Sequence, residues 1–364
     1  MLEAHGRGDA ETLRLIHHKH PRFLDSEVRW LPKPLTEDDI RNAPFDLEDA
    51  RLTVARAYDF LDWASLAAYV MAPDFQFESA VEAVVHGDLA ALEALLAARP
   101  DLVRARSTRV THFDPAVHRS TLLHYVAANG VEGYRQKSPA NAVEIAEALL
   151  RAGSEPDALA DMYGGECTTM SLLVSSCHPA QAGVQVALVD KLIDHGASVR
   201  RLGSGNWTSP LTTALVFGYL DAAEALVRRG AAVDDIAAAA GLGRIEDGRR
   251  LLADATAESR HRALALAAQL GHVEVTRLLL DAGEDPDRYN PEGFHSHGTP
   301  LHHAALAGHE AVVRLLVERG ARLDVEDKLW HGTPLGWAIH GERKNVEAYL
   351  RGYGRDRSTP ASTG

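Results

Sequence analysis

Gly298-Thr299-Pro300-Leu301-His302-His303-Ala304-Ala305-Leu306-Ala307-Gly308-His309, continued by Val312-Val313-Arg314-Leu315-Leu316-Val317-Glu318-Arg319-Gly320-Ala321, is the stretch on which the fold turns. Thr299 is an N-cap residue, and Pro300 sits at the first helical position, where a missing N–H costs nothing. Leu301, Ala304 and Ala305 make a small apolar stripe. Gly308 can end the first helix in a left-handed conformation, and Gly320 ends the second. Neither short helix can bury its apolar face alone, so neighbouring copies must stack.

Other copies follow. Thr333-Pro334-Leu335-Gly336-Trp337-Ala338 opens the last. Ser209-Pro210-Leu211 opens another, closing at Leu226-Val227-Arg228-Arg229-Gly230-Ala231. Thr121-Leu122-Leu123-His124 keeps the His without the Pro, and Thr168-Thr169-Met170-Ser171 is more degenerate. Ile236–Leu252 and Leu264–Gly283 lack the Thr-Pro start, and an early copy runs from Ser79 through Gly87-Asp88 to Leu96. The pattern resembles the ankyrin repeat, with its Thr-Pro-Leu-His-x-Ala opening and Leu-Leu-x-x-Gly-Ala ending. The resemblance implies an all-α fold: an α-solenoid of about eight stacked helix pairs over residues 75–352, with extended finger loops.

Residues 1–74 differ and predict a helical N-terminal cap. Thr36 and Asp46 are N-cap candidates, and Ala55 to Leu66 resembles a helical segment that precedes bacterial-type ankyrin arrays. The usual Gly before the Phe is replaced there by Asp59. Residues 353–364 are rich in Gly, Arg, Ser and Pro and predict a disordered tail.

The net charge of −13 argues against a nucleic-acid partner. No apolar run is long enough to span a membrane, and no signal peptide is evident at the N-terminus. Cys167 and Cys177 are too few for a disulfide framework, so a reducing cytoplasm is expected, with both thiols as small core residues.

Extra length enters between repeats at 104–119, 158–167, 288–297 and 327–331, the finger positions implied by the resemblance. Two further insertions, 131–140 and 175–183, fall between paired helices. The fingers carry polar and aromatic side chains where plain linkers would carry Gly, Ser, Lys and Glu. Asp114, His118, Asp161, Tyr163, Glu166, His295, His297, Trp330 and His331 are therefore the expected binding edge. Asp161 and Glu166 would favour a cationic or metal-bearing ligand.

His302 and His124 are expected to be struts between repeats. His295 and His297, with His303 or His331, are the candidates for a divalent metal. Asp161, Glu166 and His118 are the candidates for an acid/base group. Gly164-Gly165 lacks the Lys-Ser/Thr of a phosphate loop. Two functional classes follow. The first is a non-enzymatic module binding a protein or peptide along the groove and fingers, with no cofactor. The second is an enzyme or small-ligand or metal-binding protein using the finger His and carboxylates.

Overall fold

The computed structural model describes residues 1–71, 75–206 and 208–358. The 72–74 end of the expected cap and the 359–364 end of the expected tail lie outside the described residues. The chain is mostly helical and forms two compact units, Met1–Ala197 with Gly203–Gly205, and Ser198–Leu202 with the chain from Asn206 onward.

The first unit opens with short helices, Ala10–Lys19, Glu37–Asn42 and Leu47–Ala57 among them. Thr36 and Asp46 cap the second and third of these with reciprocal capping boxes, as their sequence predicts. Leu13, Ile16, Phe23 and Ile40 form a small core between them. The single helical segment expected from Ala55 to Leu66 is instead broken. Asp59 takes a left-handed φ of 59°, and a new helix, Trp63–Val70, starts under an Asp62 cap. Three helix pairs follow: Gln76–His86 with Leu89–Ala98, Leu122–Val126 with Ala142–Arg151, and Thr169–Leu173 with Gln185–Asp194. Before the third pair the finger is an antiparallel hairpin, Leu159–Met162 with Gly165–Thr168.

The second unit contains five pairs: Pro210–Val216 with Leu220–Arg228, Ile236–Gly241 with Ile245–Leu252, Ala257–Gln269 with Val273–Asp281, Pro300–Ala307 with Glu310–Glu318, and Pro334–His340 with Lys344–Ser358. The first helices pack on one another through small residues. Every residue of Ile236–Gly241 is buried, and a Cβ at Gly241 would stand 2.9 Å from Leu215 Cδ1. Gly308 ends its helix at φ 85°, as the pattern requires. The last helix continues to Ser358, past the 352 boundary expected for the array.

Of the two Thr-x-x-His histidines, His302 is a strut between repeats, whereas the buried His124 Nε2 makes no such hydrogen bond. Thr299 N–H donates to His302 Nδ1 at 3.2 Å, which leaves the Nε2–H to donate to Gly332 O at 3.1 Å in the next finger. His124 repeats the local half, accepting from Thr121 N–H at 3.1 Å, with its other nitrogen near the backbone of Cys167 and Ala158. Cys167 is buried, and burial pushes its thiol up to about 11. Cys177 is exposed at the start of the short helix Cys177–Gln181, which corrects the expectation that both thiols lie in the core.

Candidate functional site

A large concavity lies in the second unit. Two fingers frame it. In the first, Asn290 N–H donates to Gly298 O at 2.8 Å, closing the loop, and His295 sits at φ 61°. In the second, Asp327 N–H donates to Gly332 O at 2.9 Å, and Lys328 N–H donates to His297 O at 2.9 Å, tying the fingers together. The floor is the first helices of the repeats beneath. A cavity of about 1100 Å³ results, lined mainly by apolar surface and bounded by His297, His303, Leu306, Trp330, Trp337 and Arg343 among others.

Asp327 organises this wall. Its carboxylate accepts from the N–H groups of Leu329 and Trp330 (2.8 and 2.7 Å), Gly332 (2.8 Å) and the Trp337 indole (2.9 Å). Burial alone would raise its pKa, but these donors outweigh burial and hold the carboxyl below its ordinary value. The bonds fix the Trp330 backbone and the Trp337 ring. His297 lies edge-on to Trp330 at 5.3 Å between ring centres and packs on Trp337 at 5.6 Å. His303 is almost wholly buried, stacked on His295 at 5.3 Å. Burial, and secondarily the neighbouring His295 and His297, push its imidazole down to about 3, so it is neutral at pH 7. His295 is committed elsewhere, with Nε2 2.9 Å from Val216 O. Among the described residues, no group of three or more His, Cys, Asp or Glu is arranged to hold a metal ion.

The family model for ankyrin repeats, in 3 copies, matches residues 236–327 and 264–357. Human cyclin-dependent kinase 4 inhibitor B is 32% identical over 126 residues, which is 34% of this chain and 88% of that protein. The chain belongs to the ankyrin-repeat family. Mouse ankyrin repeat and SAM domain-containing protein 6 is 32% identical over 107 residues, 29% of this chain, and the chain spans only 12% of its length. The crystal structure of the human ASB11 ankyrin repeat domain aligns at 20% identity with a TM-score of 0.38, covering 74% of this chain and 96% of that one.

The residues of the expected ankyrin binding edge are divided between the two units. In the second unit, His295, His297 and Trp330 come together at the cavity. His331, its neighbour, is exposed and lies 3.8 Å from Glu326. Phe294, also in that finger, is a buried prop beneath the Arg262 guanidinium.

In the first unit, Asp161 and Glu166 face each other across the hairpin, and Tyr163 at its tip is 54% exposed, its hydroxyl donating to Asn129 Oδ1 at 2.6 Å. Asp114 is exposed. His118 is buried under the Phe113 ring, its carbonyl accepting from Asp161 N–H at 2.8 Å. The loop that carries Asp114 and His118 is clamped to the segment Tyr58–Leu61. Leu61 N–H donates to Val110 O at 3.2 Å, and Arg109 donates to Tyr58 O and lies 3.8 Å above the Phe60 ring.

Trp337, Arg343 and Asp327 are among the cavity residues that escaped the sequence reading, although a signal existed. Trp337 holds the same position in its ankyrin repeat as His303 in the repeat before, the variable residue of Thr-Pro-Leu-His-x-Ala, and both face the cavity. Arg343 lies at the repeat position of His309. Asp327, named only as the edge of an insertion, proves to be its organiser.

Proposed function

We propose that this ankyrin-repeat array is a recognition module, and that its second unit binds a protein or peptide segment in the cavity between the 290–298 and 327–332 fingers. Ankyrin repeats are in general protein–protein interaction modules. The observation that carries the finer reading is Trp330. It stays 53% exposed beside a large apolar concavity, while its backbone is fixed by the buried Asp327 carboxylate. A large, pre-positioned aromatic at the mouth of an apolar pocket is the usual anchor of a binding hot spot. In this reading the array has eight repeats, and residues 1–74 form its helical N-terminal cap. The unpaired thiols suit a reducing, cytoplasmic setting. The Tyr163 hairpin of the first unit is a second candidate face.

Trp330→Ala should leave thermal stability nearly unchanged, because the side chain is half exposed. Affinity for peptides selected on the intact protein should fall about 10- to 100-fold, the range of a lost aromatic anchor. Tyr163→Ala is the comparison. Unchanged affinity in Trp330→Ala would remove the cavity from the account.

A further inference from the structure

We propose that the second unit's cavity accepts a bulky apolar side chain together with an adjacent carboxylate, so that its partner is an acidic protein segment with an aromatic or large aliphatic anchor. The inference rests on the docking reading above and names the chemistry of the partner.

The argument starts from a repeated strut. At the start of successive second helices, a side chain reaches back to a first-helix carbonyl. His272 Nε2 meets Gly241 O at 2.9 Å, and His309 Nε2 meets Gln269 O at 3.0 Å. The third member of the series is Arg343, whose Nε–H donates to Leu306 O at 2.8 Å. A neutral imidazole suffices for this bond, as the two histidines show. Arginine adds a permanent charge and two terminal amino groups, held by the strut at the wall of the cavity.

Among the described residues that charge has no carboxylate partner. The other arginines nearby are paired: Arg314 with Glu310, Arg319 with Asp281, Arg322 with Asp324 and Arg351 with Glu347. The one carboxylate in the cavity lining is Asp327, and both of its oxygens are occupied by the four N–H donors already named. In a chain of net charge −13, this concavity therefore presents an aromatic floor and an unmatched, fixed guanidinium. A carboxylate beside an apolar anchor satisfies both, because a fixed guanidinium can receive it through two parallel hydrogen bonds.

A chain segment is the occupant rather than a small molecule because the concavity is broad and open: small-ligand pockets enclose most of their ligand, whereas the Trp330 wall of this one is exposed to solvent.

The test is a displayed library of random heptapeptides selected on the full chain, with binders required to lose affinity for Trp330→Ala. The expected result is enrichment of Asp and Glu next to Trp, Phe or Leu. Synthetic versions should bind about 10-fold more weakly when Asp is replaced by Asn, and about 10-fold more weakly to Arg343→His, as for one lost charge-assisted contact. Arg343→His keeps the strut used by His309 and discards the charge, so a fold defect, read by thermal unfolding, is separable from a binding defect. Raising the salt concentration should weaken the wild-type complex and barely affect Arg343→His. Trp330-dependent binders without an acidic excess, or acidic binders indifferent to Arg343→His, would overturn this inference and leave the docking groove standing. Absence of any Trp330-dependent binder would overturn both.

Discussion

Lowering the pH from 7 to 5 should cost each unit about 2 kcal/mol of stability through one buried histidine apiece, His124 in the first and His303 in the second. Both are buried, and burial holds their pKa values down to about 4 and about 3. In the unfolded chain an imidazole titrates near about 6.5. Below that pH the unfolded state takes up a proton that the folded state refuses, so stability is full above about 6.5 and falls as the pH drops toward the folded values. Burial also lowers the pKa of His118, His272, His302 and His309, which adds to the loss in the same direction. Urea unfolding at pH 7, 6 and 5, followed by tryptophan fluorescence and by far-ultraviolet circular dichroism, measures it. His303→Gln should flatten the pH slope of the second unit. Stability unchanged between pH 7 and 5 would contradict the burial of these side chains.

Arg135→Leu should destabilise the first unit by about 3–5 kcal/mol, as breaking a buried ion pair from one side does. Arg135 is almost wholly buried. Its Nε and Nη2 donate to Glu82 Oε1 at 2.9 and 2.8 Å, and its Nη1 lies 2.7 Å from Glu78 and 3.7 Å from Glu132. Glu78 also accepts from the Tyr69 hydroxyl at 3.0 Å, and Arg109 lies 3.4 Å from Glu132. The network joins the Trp63–Val70 helix, the 104–119 loop, the 131–140 insertion and the helix Gln76–His86. Leucine would leave Glu78 and the buried Glu132 with too little positive charge, and the cost is that of uncompensated buried carboxylates. Adding Glu132→Gln should recover part of the loss, since it removes one of the orphaned charges. Chemical denaturation of the single and double variants decides the matter, and a loss under about 1 kcal/mol for Arg135→Leu would contradict it.

These two networks show where sequence reasoning reaches. Signals confined to one repeat were legible: the Thr36 and Asp46 caps, the Gly308 stop, and the Thr299–His302 and Thr121–His124 bonds each depend on residues a few positions apart. What failed to show were contacts across tens of residues. Arg109 and His112 have the composition of a binding finger, yet Tyr58–Leu61 clasps their loop. His112 lies 3.3 Å from Asp59, and Gly133 N–H donates to the same carboxylate at 2.7 Å. Much of the polarity of that loop is thus spent within the chain. The second unit is the reverse case. His295, His297 and Trp330 were visible as loop residues, but Trp337 and Arg343 sit on helices, at positions the repeat pattern leaves variable. Only the stacking of consecutive first helices brings His303 and Trp337 to one surface, at 5.1 Å between rings.

The central claim is that the Trp330–Trp337 cavity is where this ankyrin-repeat chain meets its partner. The chain holds five tryptophans, so 5-fluorotryptophan labelling offers a separate fluorine resonance for each. Titration with a peptide selected on the intact protein should shift the Trp330 and Trp337 resonances together and leave Trp30 and Trp63 in place. Saturable binding that shifts Trp30 or Trp63 while Trp330 and Trp337 stay fixed would contradict the account.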